Sequence, residues 1–203
     1  MHRTTRLTLT SLLALGLGGC GSSKPIRYYT VQIPTAPPLV TNAYPVSLLV
    51  ANISGPEIFL DTRIAYRIGA NEIGMYQYSQ WSEPPVKMVK DKLIRMLRFS
   101  GDYQSVAESG SNADGQFVVR GRLYDFEEAD TGSIAGLVSM EFDLYDRKSG
   151  KVVWSRFYSQ SEPVQSKDVS AVVSALDLNL NRGLEEVAAG LGQYFGTSLP
   201  KKS

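Results

Sequence analysis

The apolar positions after residue 26 repeat with two different periods. Seven stretches have the alternation or the short apolar run that is typical of β-strands. In chain order they are "IRYYTVQI" (26–33), "VSLLVANI" (46–53), "TRIAYRI", "NEIGMYQYS", "QFVVRGRLYDFEE", "SIAGLVSMEFDLYD" and "KVVWSRFYSQSE". Two other stretches repeat their apolar residues every three or four positions, which predicts amphipathic helices.

The first helix is predicted to begin at "SEPP". Ser82 is a candidate cap, and Glu83, Pro84 and Pro85 suit a first helical turn, whose amide hydrogens have no partner within the helix. The predicted buried stripe is Val86, Val89, Leu93 and Leu97, and Gly101 is the predicted stop.

The second helix is predicted to be long, with Ser166 as its cap and Asp168 favouring its N-terminus. Its predicted buried stripe is Val169, Val173, Leu176, Leu180, Leu184, Val187, Leu191 and Tyr194. Gly183 and Gly190 flank that stripe at a cost of about 1 kcal/mol each relative to alanine. Close approach to the sheet or to another subunit would offset that cost.

Together these elements predict an α+β fold, a two-layer sandwich whose mostly antiparallel sheet is covered on one face by two helices. The predicted inward side chains of the last three strands are Val119, Leu123, Val138, Met140, Phe142, Leu144, Val153 and Phe157. The opposite face is predicted to carry alternating charge, from Arg120 and Arg122 through Glu141 and Asp143 to Arg156. This ladder is interpreted as a solvated sheet face, with a binding surface as the alternative.

The residues before the first strand have the features of a bacterial lipoprotein leader. Arg3 and Arg6 precede an apolar run that is too short to span a membrane comfortably. "LGGC" then resembles a lipobox, which makes Cys20, the only cysteine, the predicted lipid attachment site after cleavage at Gly19. Two or more acyl chains anchor a protein stably. In bacteria with enterobacterial-type sorting, Gly21 in the next position favours the periplasmic face of the outer membrane over the inner membrane.

The predicted organisation is a signal peptide (1–19), a lipidated cysteine with its tether (20–25), one domain (26–197) and a short tail (198–203). About 184 residues would remain after cleavage, which suits one ordinary domain. Loss of Arg3 and Arg6 leaves 19 basic against 20 acidic residues, a charge near −1 that gives no support to nucleic-acid binding.

The same leader contains His2, the only histidine of the chain. The mature chain therefore has neither a histidine nor a free thiol, which rules out Ser-His-Asp and Cys-His catalysis and histidine-ligated zinc. The carboxylates are scattered or placed like surface charges, as at Glu127-Glu128 and Glu185-Glu186. No enzymatic activity, metal or cofactor is expected.

Trp81-Ser82-Glu83-Pro84 lies where a predicted strand meets the first helix, and it resembles the "W-[AS]-E-P" signature of the ABC-type transport auxiliary lipoproteins, the paraquat-inducible protein C-like family. "YYTV", "TRIAYRIGANEIGMYQYSQWSEP" and "VVWSRFY" follow the family's order, so the resemblance covers nearly the whole mature chain. "ISGPEIFLD" departs from the family's usual "LP-x-Y-L-D", which puts any inherited contact of that loop in doubt.

The resemblance implies a periplasm-facing accessory of an ABC-type lipid transport system, with an MCE-domain protein and an ABC permease and ATPase as partners and a homo-oligomer as an option. The lipoprotein would dock the apparatus at the outer membrane and support envelope integrity. A lipid-binding chaperone or shuttle and an outer-membrane assembly lipoprotein are the alternatives.

The predicted partner contact is the aromatic set just before the first helix, Tyr66, Tyr76, Tyr78 and Trp81. Tyrosine and tryptophan are enriched at protein interfaces, and the near-zero net charge favours a neutral contact. A role in the hydrophobic core is the alternative for the same four residues.

Overall fold

Eight strands and two α-helices form the described part of the computed structural model, residues 24–33 and 43–198. The strands are β1 (Arg27–Tyr29), β2 (Tyr44–Val50), β3 (Arg63–Ile68), β4 (Glu72–Trp81), β5 (Tyr103–Glu108), β6 (Phe117–Asp130), β7 (Ile134–Asp146) and β8 (Lys151–Pro163). The helices are α1 (Pro85–Ser100) and α2 (Val169–Ser198), and a short 3-10 helix spans Glu57–Phe59. The predicted signal peptide, Cys20 and residues 199–203 lie outside the described residues.

The long strand β6 organises the sheet. It pairs antiparallel with β7 along its whole length, and β7 pairs antiparallel with β8. On its other side β6 is shared by two parallel neighbours, β2 near its start and β3 near its end. The sheet continues from β3 to β4 and β1, and from β2 to β5. The antiparallel meander was predicted, whereas β5 and the parallel pairings were not.

Both helices lie on one face of this sheet, which confirms the predicted α+β sandwich. Helix α2 packs against β7 and β8, and α1 packs against β5 and α2. Between the two layers, inward side chains of strands and helices have no exposed surface at all. They include Leu93, Leu123, Met140, Leu176 and Leu184.

The glycines of α2 let the helix approach the sheet closely. A Cβ at Gly190 would lie 2.6 Å from Trp154 Cζ2, and one at Gly183 would lie 2.8 Å from the Tyr158 ring. Real Cβ atoms essentially never come that near. Of the two predicted explanations for these glycines, the structure selects approach to the sheet.

A buried asparagine fixes α2 on the same strands. Asn179 has no exposed surface, and its amide nitrogen donates to the backbone carbonyls of Gly136 at 2.9 Å and Gln160 at 2.6 Å. Its side-chain oxygen accepts from the Tyr158 hydroxyl at 2.6 Å. Because both donors and the acceptor are satisfied, this polar side chain specifies one seating of α2 without an unpaired buried group.

The predicted inward face of β8 is wrong at Phe157, whereas Val153 is half-buried against the core. The β7–β8 register shifts between Leu144 and Tyr145, where Val153 has no partner. The shift turns Tyr158 inward, where it is 4% exposed, and leaves Phe157 outward at 60% exposure. It also moves Arg156 to the helix side, where its guanidinium pairs with Glu186 of α2 at 2.5 Å. Arg156 is therefore not part of the charged open face.

Both predicted serine caps are also wrong. Helix α1 begins after Pro84, which occupies the cap position without a side-chain hydrogen bond, so Ser82 and Glu83 precede the helix. Glu83 instead pairs with Lys87 at 2.7 Å. At α2, Asp168 rather than Ser166 accepts the backbone N–H of Ala171, at 3.0 Å.

Of the other predicted ends, that of α1 agrees with the structure and that of β1 does not. Gly101 closes α1 in the left-handed region, at φ 69°, as predicted. Strand β1 is much shorter than predicted, three residues instead of eight, because the chain leaves the sheet edge after Tyr29.

We expect Trp81→Ala to lower the free energy of unfolding by about 3–5 kcal/mol, as for other large core aromatics. The ring is 1% exposed and lies 5.3 Å from the Phe126 ring, centroid to centroid. Trp81→Phe is the matched control. It should cost much less, because the indole nitrogen has no hydrogen-bond partner to lose. Urea unfolding measures both, and equal losses would contradict the assignment of the cost to the lost ring volume.

Candidate functional site

The N-terminal arm, residues 24–33, attaches the predicted tether to one edge of the sheet. Strand β1 pairs in parallel with the end of β4, from Arg27 opposite Ser79 to Tyr29 opposite Trp81. The backbone N–H of Ser82 donates to the Tyr29 carbonyl at 2.6 Å. Val31 is then buried in the core, at 2% exposure. The chain that leads from Cys20 therefore ends in a fixed position on the domain.

A buried ion pair holds the end of this arm. The Lys92 side chain on α1 is 2% exposed, and its ammonium donates to Asp177 Oδ1 of α2 at 2.8 Å. The same oxygen accepts the backbone N–H of Gln32 at 3.1 Å. One carboxylate thus joins the arm and both helices, beside a polar cleft of about 470 Å³ that Ser174 and Asn181 help to line.

Tyr66 and Tyr76, two of the four predicted partner-binding residues, lie together on neighbouring strands. Their ring centroids are 5.2 Å apart, and both side chains are half-buried. The Tyr76 hydroxyl donates to Glu128 at 2.6 Å. Burial, with Glu128 adding to it, raises the pKa of Tyr76 far above its usual value. These contacts give the pair a structural role alongside any role in binding.

The other two predicted residues are in different surroundings. Tyr78 is half-buried, and the Lys24 ammonium lies 5.3 Å from its ring centroid, so Tyr78 stands where the tether reaches the domain. Trp81 lies in the core against Phe126 and offers no surface to a partner. Nearby on β1, Tyr28 is 66% exposed, although it was not among the predicted contact residues.

Glu127 was predicted to be a surface charge, and that prediction is wrong, because the carboxylate is buried. It has no exposed surface, and its Oε1 accepts from Arg67 Nε at 2.5 Å. Arg67 also lies 3.6 Å from Asp125, while Oε2 of Glu127 has no hydrogen-bond partner. Burial raises the pKa of Glu127 above its ordinary value of 4.5, against the opposing effect of Arg67.

The opposite end of the sheet carries a second cleft, of about 650 Å³. Pro45, Val46 and Phe117 contribute apolar surface to it, and Arg147 and Lys148 contribute positive charge. Arg147 also donates to the Gly115 carbonyl at 2.9 Å, which fixes its side chain over the cleft.

The described residues provide no cluster of three or more histidine, cysteine or acidic side chains that would hold a metal ion. No helix within 24–33 and 43–198 has the length and apolar character needed to cross a membrane.

Comparison with known proteins identifies the family. The chain matches the family model of the ABC-type transport auxiliary lipoprotein component over residues 29–188, and it belongs to this family. No curated protein matches the chain significantly.

Solved structures share the fold. A Xanthomonas campestris protein described as a DUF330 family member is 24% identical, with a TM-score of 0.75, and the match covers 85% of this chain and 97% of that one. An uncharacterized protein is 16% identical, with a TM-score of 0.67, over 83% and 99% of the two chains. A hypothetical protein from Chlamydia trachomatis is 10% identical, with a TM-score of 0.50, over 75% and 98%.

We expect Glu127→Gln to change the pH dependence of stability. A folded-state pKa above the ordinary value means that ionisation opposes folding. The contribution of Glu127 is therefore fully retained below pH 4.5 and is lost as the pH rises through the folded-state pKa. The unfolding free energy of the wild type, relative to the variant, should fall over that interval.

The measurement is urea unfolding between pH 3.5 and 8. Glu72→Gln, at an exposed position on β4, is the matched control and should keep the wild-type profile. A Glu127→Gln profile parallel to the wild type over the whole range would contradict the effect of burial.

Proposed function

We propose that this protein is a lipid-anchored, periplasm-facing accessory of an ABC-type lipid transport system with an MCE-domain component. Its role would be to dock that apparatus at the outer membrane and so support envelope integrity. The family match over residues 29–188 is the observation that carries the proposal. Deletion should make the envelope sensitive to detergents or redox-cycling compounds, at least when a parallel lipid pathway is also removed.

Cys20 supplies the anchor in this proposal, and the arm supplies the connection. Arg27, the first residue of β1, lies seven residues after Cys20 in the sequence, and that length of chain spans at most about 25 Å when extended. The edge formed by β1 and β4 therefore stays close to the membrane. Such a domain contributes to transport by meeting a partner that crosses the periplasm.

The residues support a binding role rather than catalysis. The sequence lacks a histidine after His2. Three of the described carboxylates are engaged within the fold: Asp177 by Lys92, Glu127 by Arg67 and Glu128 by the Tyr76 hydroxyl. These contacts stabilise the fold. The proposed work is done by position and shape, without an ATP site or a cofactor.

A second candidate function is the binding of a lipid or another anionic amphiphile. The cleft beside Phe117 favours it, because apolar side chains and the two cations Arg147 and Lys148, which outnumber the one acid Asp146, suit an acyl chain with an anionic head. Lipid that co-purifies with the wild type and is lost in Arg147→Glu would support this candidate over simple docking.

The proposed partner surface is the tyrosine edge, defined as Tyr28 of β1 and Tyr66, Tyr76 and Tyr78 of β3 and β4. Tyr28 is the most exposed of the described large hydrophobic side chains, and Tyr78 stands beside the tether. A partner that contacts this edge would meet the domain on its membrane-proximal side.

We expect the double change Tyr28→Ser and Tyr78→Ser to abolish co-purification of the MCE-domain protein with the anchored lipoprotein. Neither hydroxyl makes a described hydrogen bond, so the fold should persist, which a thermal melt checks. Leu178→Ser on α2, where the side chain is 51% exposed, is the matched control and should retain the partner. Retention by the tyrosine variant with loss by the control would move the contact to α2.

A further inference from the structure

The turn between β3 and β4 carries two exposed isoleucines at one end of the sheet. Ile68 is 51% exposed and Ile73 is 42% exposed. The strand register sets Ile68 opposite Glu72 and Ile73 opposite Arg67. Because these are successive pairs, the two isoleucines lie on opposite faces of the hairpin. The isoleucine tip is defined as Ile68, Ile73 and the turn 69–71 between them.

Nothing in the described part of the chain covers this tip, and its base is fixed. A Cβ at Gly69 would have no heavy atom within 4 Å beyond its chain neighbours. Strand β3 is paired on both sides, with β4 and with β6. The backbone N–H of Gly69 also donates to the Asp130 carbonyl at 2.9 Å. The two isoleucines are therefore presented to solvent on a hairpin that is held in place.

The direction of the N-terminal arm brings the predicted anchor to the same end. Strand β1 is parallel to β4, so the chain from Tyr29 back to Lys24 runs toward the beginning of β4, where the isoleucine tip lies. The Lys24 ammonium, 5.3 Å from the Tyr78 ring centroid, still follows the β4 edge. Cys20 is four residues before Lys24, and that length of chain spans at most about 14 Å when extended. A lipid at Cys20 therefore holds this end of the domain near the membrane.

We propose that the isoleucine tip enters the interface of the membrane that holds the lipid anchor, as a second and non-covalent contact. The inference rests on the proposed anchor at Cys20 and not on the MCE-domain partner. Two half-exposed isoleucines would bind a free domain to lipid only weakly. The tether keeps them at a high effective concentration beside the bilayer, so a weak contact is enough to hold the domain in one orientation.

The geometry of the tip favours a lipid surface over a protein. A protein that packs against one face of the hairpin would cover one isoleucine and leave the other in water. A lipid interface surrounds the end of a hairpin and covers both. Burial of exposed aliphatic side chains at the headgroup boundary is how proteins that lie on a membrane gain binding energy.

The charges at this end determine which lipid surface fits. Residues 68–73 contain no cation, and Glu72 is their one acid. Arg67, just before the tip, is engaged by the buried Glu127. Attraction to anionic headgroups therefore does not drive the contact. Burial of apolar surface drives it, so a zwitterionic phospholipid surface is sufficient and added salt should have little effect.

The test uses a fluorophore that brightens in apolar surroundings, attached to Ala70→Cys in the full-length, lipidated protein. Because Cys20 is the only native cysteine and carries the lipid, the new thiol is the only one free to react. In vesicles of phosphatidylethanolamine and phosphatidylcholine, the label should brighten and be quenched by bromine atoms on the acyl chains. The same label at Lys151→Cys, at the other end of the β6–β8 meander, is the control and should stay in water.

We expect Ile68→Ser with Ile73→Ser, in the protein labelled at Ala70→Cys, to lower the ratio of inserted to free tip at least about tenfold, because most of the apolar surface of the tip is lost. Val152→Ser with Leu178→Ser is the matched control. It removes side chains that are 50% and 51% exposed elsewhere on the domain, and it should leave the quenching unchanged. Thermal melts check the fold. If the isoleucine variant does not fold, Ile73→Asn alone replaces it and should also reduce the quenching.

The outcomes separate the tip from the anchor. A label at Ala70→Cys that stays in water, in protein whose acyl chains at Cys20 are verified by mass spectrometry, would overturn the tip contact and leave the proposed function intact. Equal quenching in the two double variants would also overturn it. A chain without acyl chains at Cys20 would overturn the anchor, and the tip contact with it.

Discussion

The carboxylate of Asp177 is the contact on which the arrangement of arm and helices depends. Its Oδ1 accepts from Lys92 of α1 and from the backbone of Gln32, so three separate segments converge on one oxygen of α2. Burial of an ammonium is costly unless it is paired, and removing one member of such a pair typically costs about 3–5 kcal/mol. The positions of the two helices and of the arm are therefore coupled.

This coupling determines how the proposed anchor would act on the domain. Pairing with β4 fixes the arm at the sheet edge, and Asp177 fixes it again beside the helices. A membrane attachment at Cys20 would thus orient the whole domain. The tyrosine edge, which is the proposed partner surface, would lie near the membrane.

The sequence predicted the parts of this structure that repeat regularly, and missed those that depend on a single irregular residue or on distant partners. The stripe Val86, Val89, Leu93 and Leu97 is buried as predicted, since helical spacing alone determines it. One unpaired residue, Val153, placed Arg156 and Phe157 on the sheet faces opposite to those predicted. No local sequence pattern predicts such a bulge.

The candidate site was harder to predict for the same reason. Lys92 lies three residues after Val89, so helical spacing could have predicted its place on the buried stripe. Its partner Asp177, however, is 85 residues away in the sequence and could not be predicted. Glu127 looked like a surface charge because its burial depends on the parallel pairing with β3. Of the predicted tyrosines, only Tyr66 and Tyr76 are brought into contact, and Cys20 lies outside the described residues.

The central claim is that the protein works from the outer membrane, and Gly21→Asp tests it most directly in a host with enterobacterial-type sorting. Aspartate after the lipidated cysteine holds a lipoprotein at the inner membrane, while the folded domain is unchanged. The measurement is the detergent sensitivity of a deletion strain that carries this variant, with membrane fractionation to verify its location and Gly21→Ser as the control. We predict that the Gly21→Asp cells are as sensitive as the deletion strain and that Gly21→Ser restores resistance. Full resistance with the variant held at the inner membrane would contradict the claim.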